Sequence, residues 1–317
     1  MERRSNGGRR TYKVACLAGD GVGPELMAEA SRALRKVARM HGFAVEDVHA
    51  PIGTEALTRS GQPLPPATRW AVLDADAVLV ADAAEPALME AAEQLDLRAR
   101  LVQVLGPTSD VSLLSPVDDD AERWTAERAF ELAQRRRGRL VSVDHDPAWT
   151  ALVTSVGSRH AMVAVEHAGL TDTVRSLALD PGRSDTVVAP HLLAPALEQL
   201  AAGSADDHRP AAVGLLAENG PSVFAPARTQ PGDDAGHGVA DPGSMLLATS
   251  LLLREGLGEE HAADTLAGAL RHARANGHRP AARRRAVGAT TRDFGDAVTG
   301  LFAVTHGNAE FAPEALA

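Results

Sequence analysis

The chain has 317 residues, a net charge of −10 and only 3% aromatic residues. With 44% hydrophobic residues, it is long enough for one large domain or two ordinary ones. It contains no long apolar run and no apolar segment near its start, so we predict no transmembrane helix, no secretory signal and a cytoplasmic location. A single cysteine excludes an intrachain disulfide and a multi-cysteine zinc site.

The charged and phenolic residues are unevenly distributed. The acidic balance argues against nucleic-acid binding, and we interpret the arginine runs Arg135–Arg139 and Arg283–Arg285 as solvated helix ends or loops. The lysines are Lys13 and Lys36, and the tyrosine is Tyr12. No residue beyond position 36 can therefore supply a lysine ammonium or a phenol.

The predicted elements begin after a polar, basic stretch, residues 1–11, which we interpret as a loose tail. The sequence TYKVACLAG predicts a buried strand, and a helix beginning at Pro24 and ending at Gly42 carries apolar residues at helical spacing. Between them, LAGDGVGPE places Gly19, Gly21 and Gly23 in a tight strand-to-helix turn whose spacing is not that of a Rossmann fingerprint.

Strands and helices continue to alternate along the chain, which predicts a layered α/β protein. Predicted strands lie at the end of Ala71–Ala81 and at Val102–Leu105, Leu140–Val143, Ala161–Val165 and Thr186–Ala189. Predicted helices are Ala121–Arg136, Val174–Leu179, Met245–Arg254, Glu259–Asn276 and Phe294–Val304. Predicted loop-rich stretches are Ser204–Pro210 and Ser222–Pro242.

Five sequence blocks occur in an order that points to one family. They are LAGDGVGPELMAEASRAL, IGTEALTRSGQPLP, RGRLVSVDH, FAPARTQPGDDAGHGVADPGSMLLATSLLLR and GATTRDFGDAV. Together they resemble the metal-dependent β-decarboxylating dehydrogenases, the family of isocitrate and isopropylmalate dehydrogenases. The resemblance implies that family's fold: two α/β domains with a cleft between them, residues 1–97 and 207–317 forming the larger and residues 98–206 the smaller.

The resemblance also implies a reaction and the groups that it requires. Family members oxidise a 2-hydroxy dicarboxylate with NAD or NADP and then release carbon dioxide. Arginines bind the carboxylates, a divalent cation on aspartates polarises the hydroxyl, and a lysine and a tyrosine move protons.

This chain departs from the family at the positions of those groups. His145, after Asp144, stands at the lysine position, and imidazole could serve as a base. By the resemblance, the three metal aspartate positions hold Thr171, which is followed by Asp172, and Pro195 and Gln199. We therefore expect no magnesium or manganese site.

The arginine positions are changed as well. Val102 stands where the family has an arginine, but Arg98 and Arg100 precede it on the same strand face and are the predicted substrate-binding residues. Between Ser112 and Arg123, the chain lacks a segment that the resemblance implies. In the family, this segment is an arm that carries the tyrosine and part of the dimer contact.

The predicted cofactor loop is closer to the family pattern. Asp233 stands where NAD-using members carry an acid, Gly236 is retained, Asp241 replaces an asparagine and Arg228 replaces a histidine. Because an acid would repel a 2′-phosphate, NAD is the possible cofactor, and these four residues are its predicted contacts. The alternative is that the loop is only an inherited structural feature.

The histidines could have a separate role. His145, His160, His167 and His191 lie in segments that converge near the expected cleft, so several of them could bind a transition metal. Their spacing contains no chelating motif, and we favour ordinary hydrogen-bonded histidines.

Three functional hypotheses remain open. The leading one is a pseudoenzyme, a catalytically impaired family member that binds a small molecule or acts as a homodimer or as the partner subunit of a related dehydrogenase. The second is an active NAD-dependent oxidoreductase on an unusual 2-hydroxy acid, with His145 as base, Asp144 and Asp172 as further catalytic candidates, and Arg98 or Arg100 as anchor. The third is a structural homodimer with an empty cleft.

Overall fold

The computed structural model describes residues 5–6, 9–82, 94–106, 110–144, 146–179, 184–202, 209–227, 234–278 and 289–309. The strands are β1 (Ser5–Asn6), β2 (Arg9–Leu17), β3 (Ala44–His49), β4 (Ala77–Val80), β5 (Leu97–Val104), β6 (Val111–Pro116), β7 (Arg139–Asp144), β8 (Ala164–Gly169), β9 (Thr186–Val188), β10 (Ala211–Ala217) and β11 (Ser222–Pro226). The helices are α1 (Gly23–Met40), α2 (Gly53–Ser60), α3 (Pro66–Leu73), α4 (Glu122–Arg135), α5 (Pro147–Gly157), α6 (Leu170–Leu179), α7 (Ala194–Ala202), α8 (Gly243–Leu251), α9 (Glu260–Ala275), α10 (Thr291–Gly300) and α11 (Phe302–Ala309). A π-helical turn, Leu252–Gly256, follows α8.

The chain divides into two compact units. Unit 1 consists of Met1–Leu95 and Asn219–Ala317, and unit 2 of Asp96–Glu218. The second boundary lies after β10 rather than at the predicted residue 207, because β10 pairs antiparallel with β5 along most of its length.

Unit 1 is built on a parallel sheet in the order β3, β2, β4, β11, with β1 pairing antiparallel to β2. Strands β4 and β11 are buried throughout, as expected for parallel strands covered on both faces. Cys16, in the middle of β2, is fully buried, and burial together with the charge of Asp47 raises the pKa of its thiol to about 12. The cysteine therefore behaves as a small buried hydrophobe within the buried strand that TYKVACLAG predicts.

Unit 2 contains strands of both directions. Strands β6, β9, β7 and β8 are parallel in that order, and β5 pairs antiparallel with β6. Helix α4 packs with α5, and α6 packs with α7. Because βαβ crossovers are right-handed, the first helix pair lies on one face of the sheet and the second pair on the other.

The structure confirms the α/β alternation and corrects four predictions. The stretch 1–11, predicted as a loose tail, contains β1 and the start of β2, which pair antiparallel. The predicted helix Phe294–Val304 is two helices, α10 and α11, separated after Gly300, a residue type that helices tolerate poorly. The predicted loop Ser222–Pro242 begins with β11. Its apolar run is short and flanked by prolines, so the sequence pattern indicates a loop rather than a strand. The strand predicted at Ala161–Val165 lies at β8, because residues 160–163 form a hydrogen-bonded turn.

No helix in the described parts of the chain is long and apolar enough to cross a membrane.

The glycine-rich turn after β2 contacts the backbone at the start of α2. Gly19 and Gly21 have φ angles of 62° and 61°, the left-handed region that favours glycine. Between them, Asp20 accepts hydrogen bonds from the backbone N–H groups of Thr54 (2.9 Å) and Glu55 (3.3 Å). Asp20 therefore caps the N-terminus of α2, for which the residue immediately before the helix provides no side-chain cap.

Replacing Asp20 with asparagine should lower stability in a pH-dependent manner. Partial burial favours the neutral acid, but the hydrogen bonds from Thr54 and Glu55 outweigh it and hold the pKa of Asp20 below its ordinary value. An aspartate with a lowered folded-state pKa stabilises the protein above its unfolded pKa, and this contribution is lost as the pH falls through the folded pKa. We expect Asp20→Asn to cost about 0.5–1 kcal/mol at pH 7, the lower range for a cap because the site is exposed.

Urea unfolding at several pH values measures this effect. The difference between Asp20→Asn and wild type should shrink below about pH 4, where an unfolded aspartate also becomes protonated. Asp20→Ser, which like asparagine keeps an acceptor oxygen without the charge, should differ from wild type with the same pH dependence, because only wild type carries a titrating group at this position. A difference that stays constant down to pH 3 would contradict the proposed role of the charge.

Candidate functional site

Polar side chains gather in unit 2 where its parallel strands end. The chain leaves β7 into α5 and the neighbouring β9 into α7, and these helices lie on opposite faces of the sheet. Such a divergence of two neighbouring strands opens a crevice, the usual ligand position in open α/β sheets. Because β5 is antiparallel to β6, its first residues lie at the same edge, with Arg100 opposite Ser115.

We call this region the carboxyl edge. Its polar residues are Arg98, Arg100, Asp119, Glu122, Asp144, Asp146, His167, Asp172 and His191.

Asp144, a predicted catalytic residue, is coupled to a histidine on the next strand. Its Oδ1 lies 3.3 Å from Nδ1 of His167 and accepts a hydrogen bond from Oγ1 of Thr150 at 3.1 Å. Nε2 of His167 lies 3.2 Å from Oγ1 of Thr154. This carboxylate–imidazole contact fixes the ring orientation, an arrangement that proteins use for proton transfer and for metal ligands.

An open depression adjoins this pair. Asp146 caps the N-terminus of α5, because its side chain accepts hydrogen bonds from the backbone N–H groups of Ala148 and Trp149. The lining residues are Asp144, Asp146, Pro147, Thr150, Ala151, Thr154 and Ser155. His145, the predicted base, lies outside the described residues, between two members of this lining in the sequence.

A second acidic group lies at the ends of β6 and β9. Burial, reinforced by the charges of Asp119 and Asp146, raises the pKa of Glu122 above its ordinary value, and His191 partly opposes this effect. Nδ1 of His191 lies 3.4 Å from Oδ1 of Asp119. The carboxyl edge is therefore rich in carboxylates that influence one another.

The two predicted substrate-binding arginines are held by acids. Nε of Arg98 lies 2.9 Å from Oδ1 of Asp96 and 3.2 Å from Oε2 of Glu218. Nε of Arg100 lies 2.8 Å from Oε2 of Glu198, on α7. Both arginines thus stand at the carboxyl edge, each next to a carboxylate.

Sequence reasoning missed Glu198. The available signal was an acid in HLLAPALEQL, one residue before a position where the resemblance implies a carboxylate.

Among the described residues, the acids and histidines considered as metal ligands are not grouped into a metal site. Asp172 lies exposed in the first turn of α6, and its ion pair is with Arg175, at 3.2 Å. Within the described ranges, no group of three or more histidine, cysteine or acidic side chains could hold a metal ion. The described residues therefore do not fit the divalent cation that the family implies, nor the alternative histidine site; His160, for example, stacks on Phe130 at 5.0 Å between ring centroids.

The predicted cofactor loop lies in unit 1. Gly236 has a φ angle of 76°, and the carboxylate of Asp241 accepts the N–H of Gly243 at 2.8 Å. Nη2 of Arg274 binds both oxygens of Asp241, at 2.5 and 2.6 Å, and the guanidinium lies 4.6 Å from the ring centroid of Phe294. A nucleotide contact through Asp241 would therefore compete with Arg274.

The other two predicted cofactor residues, Arg228 and Asp233, lie outside the described residues. NAD binding stays a prediction.

Comparisons with known proteins agree with the sequence resemblance. Residues 13–105 and 99–298 match the family model described as isocitrate/isopropylmalate dehydrogenase. The 3-isopropylmalate dehydrogenase of Salinibacter ruber is 31% identical over 319 residues, covering 81% of this chain and 86% of that protein. That of Synechococcus sp. strain CC9605 is 28% identical over 329 residues, covering 84% and 92%.

Solved structures share the fold. A β-decarboxylating dehydrogenase from Thermococcus kodakarensis superposes with a TM-score of 0.79 at 21% identity, covering 96% of this chain and 100% of that one. An isocitrate dehydrogenase from Methylococcus capsulatus gives a TM-score of 0.73 at 17% identity, covering 92% and 99%. These similarities support the predicted fold.

Proposed function

Because the chain belongs to the isocitrate/isopropylmalate dehydrogenase family, we propose that it is a catalytically impaired member that works by binding a ligand or a partner protein. One observation carries this proposal: the positions that the resemblance assigns to the catalytic lysine and the metal aspartates hold His145, Thr171, Pro195 and Gln199. Thr171, Pro195 and Gln199 carry no negative charge for a cation, and the side chain of His145 is shorter than that of a lysine.

Electrostatics at the carboxyl edge support the same proposal. Oxidative decarboxylation builds negative charge on an oxygen, which a divalent cation normally stabilises. At the carboxyl edge, carboxylates supply negative charge instead of the positive charge of a cation. Arg98 pairs with two acids, and burial together with the charges of neighbouring acids raises the pKa of Glu122. A doubly negative substrate would therefore be repelled rather than held.

Two kinds of partner are compatible with this proposal: a second copy of the chain, giving a homodimer, and a related dehydrogenase that supplies a complete active site. Size-exclusion chromatography with light scattering distinguishes a homodimer from a monomer. Co-purification from the source organism tests for a heteromer, since only a heteromer would bring a second, catalytically complete chain.

One observation favours the alternative of an NAD-dependent oxidoreductase acting on an unusual 2-hydroxy acid. Asp144 orients His167 beside the depression, and His145 follows Asp144 directly. An imidazole beside an oriented carboxylate can accept the proton of a hydroxyl group. In this alternative, His145 is the base, and it follows Asp144 of the Asp144–His167 pair directly in the sequence.

A turnover assay separates these proposals. The purified chain is incubated with isopropylmalate, isocitrate, malate or tartrate in the presence of NAD and magnesium or manganese, with an active family member as positive control. We expect no NADH formation above background. NADH formation that scales with protein concentration and is abolished by His145→Ala would overturn the impaired-enzyme proposal in favour of the alternative.

A further inference from the structure

We propose that Arg100 and Glu198 form a two-point binding site for a zwitterionic ligand, an α-amino acid. The inference rests on the proposed function as a binding protein and adds the chemical class of the ligand. In it, the guanidinium of Arg100 receives the ligand carboxylate, and the free oxygen of Glu198 receives the ligand ammonium.

Glu198 supplies the unsatisfied half of the site. Its side chain is only 9% exposed, and Oε2 lies 2.8 Å from Nε of Arg100. The other oxygen, Oε1, is buried and has no hydrogen-bond partner among the described residues. A buried carboxylate oxygen without a partner is costly, and a donor that reaches it recovers that cost.

Arg100 supplies the accessible half. In the described part of the chain it makes one ion pair, through Nε, and its side chain is 38% exposed. The two terminal nitrogens of its guanidinium, Nη1 and Nη2, are therefore available to a ligand. A guanidinium binds a carboxylate through two parallel hydrogen bonds, which makes this fork a suitable anchor for a ligand carboxylate.

The shape of an α-amino acid matches this pair. Its carboxylate and ammonium groups are attached to the same carbon atom, so the two charges are close together. Glu198 Oε1 and the terminal nitrogens of Arg100 flank the same Nε–Oε2 contact, so the two protein groups are also close together.

Charge favours a zwitterion over the dicarboxylates of the family. The Arg100–Glu198 pair is neutral as a whole, and the nearby Arg98 has acids on both sides, Asp96 and Glu218. Because the pair is neutral, it offers no net positive charge to the second carboxylate of a dianion, whereas an ammonium would be attracted to the carboxylate of Glu198. The chain has no lysine after residue 36, so a ligand would have to bring this ammonium.

Ligand binding to the full chain tests the proposal. The standard L-amino acids are screened by thermal shift at concentrations up to roughly 20 mM, because stabilisation follows the ratio of free ligand to Kd. Each amino acid that binds is then compared by calorimetry with two analogues: its 2-hydroxy acid, which lacks the ammonium, and the amine that lacks the carboxylate. We expect both analogues to bind at least about tenfold more weakly, the loss of one charged contact.

Variants connect the binding to the two residues. Glu198→Gln should weaken amino-acid binding about tenfold or more and should not weaken hydroxy-acid binding. The double variant Arg100→Gln/Glu198→Gln leaves no unpaired buried charge, so it should fold and should not bind. Arg175→Gln, from the exposed Asp172 pair of the same unit, is the matched control and should bind like wild type.

The proposal is overturned if no amino acid binds, if a 2-hydroxy acid binds as tightly as its amino acid, or if Glu198→Gln binds like wild type. Failure of the screen leaves the impaired-enzyme proposal standing, because that proposal is tested by the turnover assay. Turnover of a family substrate, in contrast, overturns that proposal whatever the screen shows.

Discussion

Replacing Asp185 with alanine is expected to destabilise unit 2 by about 3–5 kcal/mol, the cost of removing one partner from a buried ion pair. Its side chain is 1% exposed and binds Arg136 through Nε at 3.0 Å and Nη2 at 2.9 Å. It also accepts the backbone N–H and the Nε of Arg137, at 2.9 and 3.0 Å. Without Asp185, the guanidinium of Arg136, only 11% exposed, would be left without its carboxylate.

Tryptophan fluorescence during urea unfolding measures this effect. Trp149 is 1% exposed in unit 2, whereas Trp70 in unit 1 is 71% exposed, so the main change in signal should report on unit 2. Asp172→Ala removes an exposed acid of the same unit and is the control, with an expected change within about 0.5 kcal/mol. If Asp185→Ala unfolds at the same urea concentration as this control, the buried pair does not stabilise unit 2.

Replacing Gly23 with alanine should have a comparable effect on unit 1. A Cβ atom at this position would lie 1.9 Å from the carbonyl oxygen of Ala18 and 3.3 Å from Cβ of Ala81. Because the first obstacle is backbone, the turn between β2 and α1 must move. We expect a cost of about 3 kcal/mol or more, at the upper end for overpacking.

The buried thiol of Cys16 reports on this change. The chain has one cysteine, and burial raises the pKa of its thiol to about 12, so a thiol reagent should react when unit 1 opens. Labelling of Gly23→Ala should be faster than that of wild type by about two orders of magnitude, as 3 kcal/mol implies. Gly300→Ala is the control, since among the described residues no atom outside its own stretch of helix lies within 4 Å of the added Cβ. Equal labelling rates in the two variants would contradict the steric argument.

Much of the scaffold could be predicted from the sequence because local patterns determine it. Strand β2 and helix α1 have continuous apolar or amphipathic patterns with proline and glycine at their ends, and both were found as expected. Strands β6 and β10 and helices α5 and α7 were not predicted. The sequence VSLLSP of β6, for example, is too short and too polar to be distinguished from a loop without its neighbours.

The candidate site was predictable only in part, because its contacts join distant positions. Asp144 was a candidate because RGRLVSVDH resembles the family strand, but its pairing with His167 depends on the register of β7 against β8. Glu198 meets Arg100 across 98 residues of sequence. Arg136 was interpreted as part of a solvated run, but it is largely buried because it pairs with Asp185, 49 residues away in the sequence.

Both lysines of the chain belong to unit 1. Lys13 pairs with Asp74, and Nζ of Lys36 donates to the carbonyl oxygen of Thr299 at 2.8 Å. Reagents that acylate amines can therefore attach a biotin or a sensor surface only to these two side chains and to the amino terminus. A chain immobilised in this way presents the whole of unit 2 chemically unmodified, so surface-based measurements can follow ligand capture at the carboxyl edge without altering any residue there.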